Sequence, residues 1–366
     1  MRPFSAFYFI KENKMRCMPL MLMIFLSFGV YLGGIYITNP FDNWELCIEY
    51  YEKLVCVDAA DFDEYNESFV EYKKEAADSG KVQVLALGST NGFEWENIMG
   101  ASSGISSFTF RSVEDFKIYC NHMDITCDFE KLKSGSMIMS NMFAKNKGLK
   151  LGDKVDKNYS KNIYGEFSLD AITKEDGYML YFITSEEDQT GSAMLLGEML
   201  KGDDLYDYAY ELRDRLNSKE DIEIYSGIEE ELSGQLETFN AIYIFVVMLL
   251  SVILAVTINA AFVGMYQHRK FEFAVYKAIG ISRKRIVGKI TGELLLMELI
   301  AFCTGAFLFF VILYLFNNIV LYPEGKYLRY FHPLAFGNLI LCNVIVIVPL
   351  ILTRSRQMLK VDICEY

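Results

Sequence analysis

The residues best placed to do chemistry lie in one short stretch, 269–290, where seven Lys or Arg (Arg269, Lys270, Lys277, Arg283, Lys284, Arg285, Lys289) face a single acid, Glu272. Such a charge excess can recognise a partner surface. To hold a nucleotide it would also need a phosphate-cradling loop of the form G-x-x-x-x-G-K-[ST]. The nearest approach is Gly288-Lys289, but Ile290 replaces the hydroxyl residue and Arg283 stands where the first Gly belongs. Gly-x-Ser-x-Gly does not occur, His122, His268 and His332 pair with no nucleophile, and no Cys/His spacing suits zinc. The acidic clusters Asp203-Asp204 and Glu186-Glu187-Asp188 lack EF-hand spacing and read as solvated loop. The expectation is a chain that is not itself an enzyme, with no catalytic set, metal site or cofactor of its own.

The elements that position this stretch are apolar. Four runs, Met18–Thr38, Phe239–Tyr266, Leu294–Phe316 and Leu334–Thr353, contain one ionisable residue between them, Glu298. Each reaches the roughly 20 residues needed to cross a hydrocarbon core of roughly 30 Å. The fold class expected is a membrane protein of four transmembrane α-helices, with a large α+β extracytoplasmic domain between the first and second. Charge sorts by side. Residues 1–17, 267–290 and 354–366 together carry a net +10, whereas 39–238 carry −22. Short loops rich in Lys and Arg stay cytoplasmic. The prediction is therefore a multi-pass protein of the plasma membrane with both termini inside, and nucleic acid is excluded as a partner of the acidic outer face.

The chain then divides into an interfacial helix at 1–17, spans at 18–38, 239–266, 294–316 and 334–353, an outer domain with its stalk at 39–238, a basic loop at 267–293, a short outer loop at 317–333 and a tail at 354–366. In the basic loop, Phe271, Ala274, Val275, Ala278 and Ile279 recur at helical spacing and stop at Gly280, in the αL-tolerant position after a helix. Gly29 and Gly33 form a small-xxx-small pair for close helix approach, and Asn259 and Asn343 are expected to hydrogen-bond between spans. Glu298 is expected to anchor span three at the cytoplasmic interface. In the outer domain, strands are expected at 46–57, 82–87, 108–110, 136–139, 163–172, 178–183, 193–200 and 222–225. Helices are expected at 61–79, 113–121 and 205–216, with an irregular connection over 88–107. From Gly227 no breaker precedes span two, which predicts a continuous helical stalk. Cys47, Cys56, Cys120 and Cys127 face an oxidising side, where Cys47–Cys56 or Cys120–Cys127 could bridge.

Three motifs carry a family resemblance. The pattern Arg-x-x-Glu-x-Ala-x-x-Lys-Ala-Ile-Gly-x-Ser, from Arg269 through Glu272, Ala274, Lys277, Ala278 and Gly280 to Ser282, resembles the cytoplasmic loop of MacB-type, FtsX-like ABC transporter permeases. Asn13, Lys14 and Arg16 resemble that family's entry to its first span. Ser134–Val155, with Gly148-Leu149 and Gly152-Asp153, resembles a strand, short helix and turn of its outer domain. The resemblance implies that residues 269–285, with Arg283, Lys284 and Arg285, form a coupling helix and basic flank that meet a separate ATPase. The implied assembly is two permeases, identical or paralogous, on two ABC ATPase subunits that bind ATP and Mg, with the bilayer and an extracytoplasmic adaptor as further partners. The implied function is mechanotransmission in an exporter of a peptide, lipid or drug-like substrate. The alternative within the same family is a signalling subunit that controls cell-wall hydrolases or a sensor kinase without transport.

Overall fold

The structure is a computed structural model that describes residues 18–360 except 61–64, 90, 99, 101, 106, 176, 186–190 and 226. The expected interfacial helix at 1–17 and the tail beyond Lys360 lie outside the described residues. The chain falls into two compact units: one of residues 39–236 with 317–327, the other of residues up to 38, 237–316 and from 328 onward.

The first unit is built on a mixed sheet. In chain order its elements are the end of helix α1 (Met18–Tyr51), β1 (Leu54–Ala59), α2 (Glu67–Asp78), β2 (Val82–Leu87), β3 (Phe93–Glu96), β4 (Ser102–Ile105), β5 (Ser107–Phe110) and α3 (Val113–His122). There follow β6 (Ser136–Ser140), α4 (Asn141–Lys147), β7 (Lys154–Val155), β8 (Phe167–Thr173), β9 (Leu180–Ile183), β10 (Ser192–Gly197), α5 (Asp203–Arg215) and β11 (Ile222–Ile224). The strands run in the order β11-β1-β10-β2-β5-β9-β6-β8-β7, with β5/β9 and β6/β8 parallel and the other pairs antiparallel; β3 and β4 form a separate hairpin. Period-two alternation places Phe167, Leu169, Ala171 and Thr173 of β8 inward. Helices α2 and α5 turn Phe69, Tyr72, Leu205 and Ala209 onto Val55 and Val57 of β1. The N-terminus of α2 is closed by Asn66, whose Oδ1 accepts from the amides of Ser68 and Phe69 at 3.0 and 3.3 Å. Helix α3 packs Phe116 and Tyr119 against Phe110 and Tyr181 in a second cluster.

Residues 317–327 are short, yet they are fastened to this unit. They form a π-helical turn (Asn317–Leu321) and a 3-10 turn (Tyr322–Glu324) ending at Gly325. The Tyr178 hydroxyl donates to the Gly325 carbonyl at 2.8 Å, and Lys326 pairs with Glu96 at 2.9 Å. Gly325 has φ +63°, and a Cβ there would strike the backbone of Asn146 and Met142 on α4. Only glycine tolerates both conditions.

Among the described residues of the second unit are four helices long and apolar enough to span a membrane: the part of α1 from Met21, the Ala241–Gln267 part of α6 (Gly227–Gln267), α8 (Arg283–Phe316) and α9 (Pro333–Leu359). Polar groups stitch them together: the Ser27 hydroxyl donates to Asn343 Oδ1 at 3.0 Å, the Tyr243 hydroxyl to the Val30 carbonyl at 3.3 Å, and the Arg354 Nη2 to the Asn259 carbonyl at 2.9 Å. Gly29 and Gly33 have no atom within 4 Å of a Cβ position. The tight contacts fall instead at Gly34, against Tyr243 and Ala335, and at Gly305, 3.3 Å from the Ile24 carbonyl. One residue of offset rotates the contact face by about 100°.

Several segments depart from expectation. The strand expected at 46–57 begins only at Leu54, because α1 continues as helix to Tyr51. The 88–107 connection holds the β3/β4 hairpin, with Trp95 stacked on Tyr178 at 4.4 Å between centroids. The Cys120 and Cys127 thiols are free, as is Cys56. Cys120 faces the core, while Cys127 turns its thiol toward the Asp128 carbonyl at 3.8 Å. Burial pushes the Cys56 thiol up to about 12 and the Cys127 thiol up to about 11. The side chain of Cys47 is outside the described residues.

Candidate functional site

The basic stretch folds as a short helix, α7 (Lys270–Ala278), between α6 and α8. Its end is set by Gly280 at φ +79°: the Gly280 amide donates to the Lys277 carbonyl and the Ile281 amide to the Tyr276 carbonyl, both at 3.0 Å. These are the two bonds of a Schellman motif. Ser282 then precedes α8, its carbonyl accepting from the Arg285 and Ile286 amides at 3.0 and 3.2 Å.

The inner side of α7 is held by charge. Arg269 is 4 % exposed and Glu293 fully buried; Arg269 donates from Nη1 to Glu293 Oε2 at 2.6 Å and from Nη2 to Glu293 Oε1 at 3.2 Å. The same guanidinium reaches Glu272 from Nε at 2.8 Å and from Nη2 at 3.1 Å. Lys289 lies 3.4 Å from Glu293 and 3.6 Å from Glu272, and the Tyr276 hydroxyl donates to Glu272 at 2.9 Å. The Tyr266 and Phe273 rings flank the guanidinium at 5.4 and 5.1 Å. Two cations thus meet two carboxylates, and a buried set of that kind is tolerated because each charge has a partner. Burial opposes ionisation of both Arg269 and Glu272, but their mutual hydrogen bonds outweigh it: Arg269 is held above its ordinary value and Glu272 below its own. Burial and the bond to Glu272 push Tyr276 up to about 12.

The outer side is apolar. Phe271, Val275 and Ile279, spaced four residues apart, are 62 %, 40 % and 68 % exposed. Ala278, Gly280, Ser282, Arg283, Lys284 and Arg285 are also exposed. The structure therefore splits the sequence-derived set in two. Arg269, Glu272 and Ala274 face inward, and Lys277 is turned aside, donating to the Leu359 carbonyl at 2.7 Å; the remainder face outward. The five apolar positions first read as one face are not one face: Ala274 is buried beside Phe273, whereas Phe271, Val275 and Ile279 are open.

Glu293 went unrecognised because its partner is far along the chain, although the Lys289–Glu293 spacing of four was a local sign. Glu298, expected as the interfacial anchor, stands apart from this charged set. Five residues along a helix turn it about 140° from Glu293, and both its carboxyl oxygens are buried without a hydrogen-bond partner.

Residues 241–354 match the family model described as FtsX-like permease C-terminal. No curated protein matches the chain. Among solved structures it is similar to "a domain of a putative Permease protein from Porphyromonas gingivalis", at 9% identity and a TM-score of 0.25, covering 48% of this chain and 89% of that one.

Proposed function

We propose, from the premise that this chain is an FtsX-like permease of the membrane, that α7 is the element through which a separate ATPase drives it. The observation that carries the reading is the two-sided character of α7. One side is locked to α8 by paired buried charges, and the other offers Phe271, Val275 and Ile279 beside exposed Arg283, Lys284 and Arg285. An exposed apolar stripe rimmed by charge fits a protein partner. A push on such a helix passes into α8 instead of being absorbed by a loose loop.

In this reading the stretch is cytoplasmic and the sheet unit extracytoplasmic. Movement reaches that unit through helices that continue beyond the spans. Helix α6 runs unbroken from Gly227 to Gln267, α1 runs to Tyr51, and the turns after α8 are pinned at Gly325. ATP and Mg belong to the partner, and the chain works with a second permease copy or paralogue as a MacB-type exporter. The test is co-purification of the ATPase with full-length variants. Phe271→Ser with Ile279→Ser, and separately Arg283→Glu with Arg285→Glu, should lose the ATPase while leaving the permease in the membrane. Undiminished recovery from both pairs would refute the docking assignment.

A further inference from the structure

One acid lies within the spans and outside the docking mechanism: Glu298 of α8. On its own helix Leu294, Met297 and Ala301 flank it, all buried and apolar. From α9 comes Cys342, within electrostatic reach of the carboxylate, and from α6 comes Ser251 beside that thiol; both residues are fully buried. Ser251 and Cys342 fall near the middles of the apolar runs 239–266 and 334–353. The carboxyl therefore sits among three helices at the level of the apolar mid-span.

None of these neighbours neutralises it. Both carboxyl oxygens are buried without a hydrogen-bond partner, and no cation among the described residues acts on them. The Ser251 hydroxyl already donates to the Val247 carbonyl at 2.6 Å. Tyr243, the titratable group that faces Cys342 from α6, donates to the Val30 carbonyl at 3.3 Å. Glu293 and Cys303, five residues away in either direction along α8, are each turned about 140° from Glu298. One unused donor remains, Asn338 Nδ2, buried without a partner one turn from Cys342 on the same face of α9.

We propose that Glu298 is a proton-binding site within the spans: with α6, α8 and α9 packed as they are, a bound proton keeps its carboxyl neutral. An isolated carboxylate in an apolar interior has no partner to offset its lost hydration, so the group takes up a proton instead of standing charged. The packing itself holds that proton in place. When α8 shifts against α6 and α9, water reaches the carboxyl, the O–H bond breaks with its proton passing to water, and the carboxylate is left solvated. Proton occupancy thereby follows the packing of α8, the helix to which α7 is locked.

The full-length protein in its membrane would be treated with dicyclohexylcarbodiimide, an apolar reagent that reacts with protonated carboxyls and spares carboxylates, and mapped by peptide mass spectrometry. At about pH 7 the label on Glu298 should exceed that on the ion-paired Glu272 and Glu293 about tenfold, and it should fall as the pH is raised. Infrared spectroscopy gives a second reading that needs no access for a reagent. The difference spectrum between the parent protein and Glu298→Gln at neutral pH should contain the carbonyl stretch of a protonated carboxyl, absent from the variant. Glutamine keeps the shape of the side chain without its proton site. Carboxylate bands in that difference, or label on Glu298 no higher than on Glu272 and Glu293, would overturn the proposal. Where E298Q does not insert, labelling of the unaltered protein decides alone. None of these outcomes bears on whether α7 meets an ATPase.

Discussion

Two short loops leave α8, one at each end, and they are fastened by opposite means. At its start, the α7 loop is held by three charged side chains out of water, Arg269, Lys289 and Glu293, and by the partly exposed Glu272. At its end, residues 317–327 are held by backbone fit at Gly325, one hydroxyl bond from Tyr178, and an ion pair in which Glu96 is half-exposed. The first fastening depends on charge being paired, the second on space being empty. A buried charge left alone costs several times what an exposed pair contributes, so the loop between α6 and α8 should be the less forgiving of the two.

That contrast can be broken in order of effect. Arg269→Ala leaves buried Glu293 with Lys289 alone, 3.4 Å away, and should destabilise the membrane unit by about 2–3 kcal/mol, read as a fall in thermal midpoint of the purified protein. Replacing Arg269 and Glu293 together with apolar residues should recover only part of that loss, because Lys289 then keeps Glu272 alone, 3.6 Å away. Gly325→Ala combines a left-handed backbone with a clash against α4 and should cost about 1–3 kcal/mol, seen as faster amide exchange over 317–327. Tyr178→Phe removes one neutral hydrogen bond, about 1 kcal/mol, on the same readout. Lys326→Ala should change stability by less than about 1 kcal/mol; a larger effect would mean the outer fastening is electrostatic after all.

Acid sharpens the comparison from the other side. Glu272 is held below its ordinary value by Arg269, so its contribution is complete above the unfolded carboxylate value near ~4.3 and is lost only as pH falls through the lower folded value. The protection factor of the α7 amides, with intrinsic exchange divided out, should therefore be flat from about pH 8 to about pH 5 and fall only in stronger acid, with no matching fall at Gly325.

Legibility in the sequence followed how local each cause was. The four spans were legible as unbroken apolar runs, and the sheet unit as short strands alternating with capped helices. Gly280 announced the end of α7 because a Schellman turn needs only neighbours. The continuation of α1 to Tyr51 was missed because Leu46-Cys47-Ile48 is a short apolar run such as a buried strand has, while the helix is propagated from the span before it. The Arg269–Glu293 bond joins residues 24 apart, and the Tyr178–Gly325 bond residues 147 apart. Neither separation carries a period that sequence reading could follow. The split within the apolar set, Ala274 buried and Phe271, Val275 and Ile279 exposed, was not legible because helical spacing says which residues share a face, not which face meets the protein.

The central claim is that α7 presents one side to its own chain and the other to a motor. The most direct measurement is photo-cross-linking in cells from a benzophenone amino acid placed singly at 271, 275 and 279, and at 273 and 274. Adducts with an ATPase subunit should form from the first three positions and none from the last two. Equal capture from both sets, or no ATPase adduct from any position in cells where the complex can be isolated intact, would contradict it.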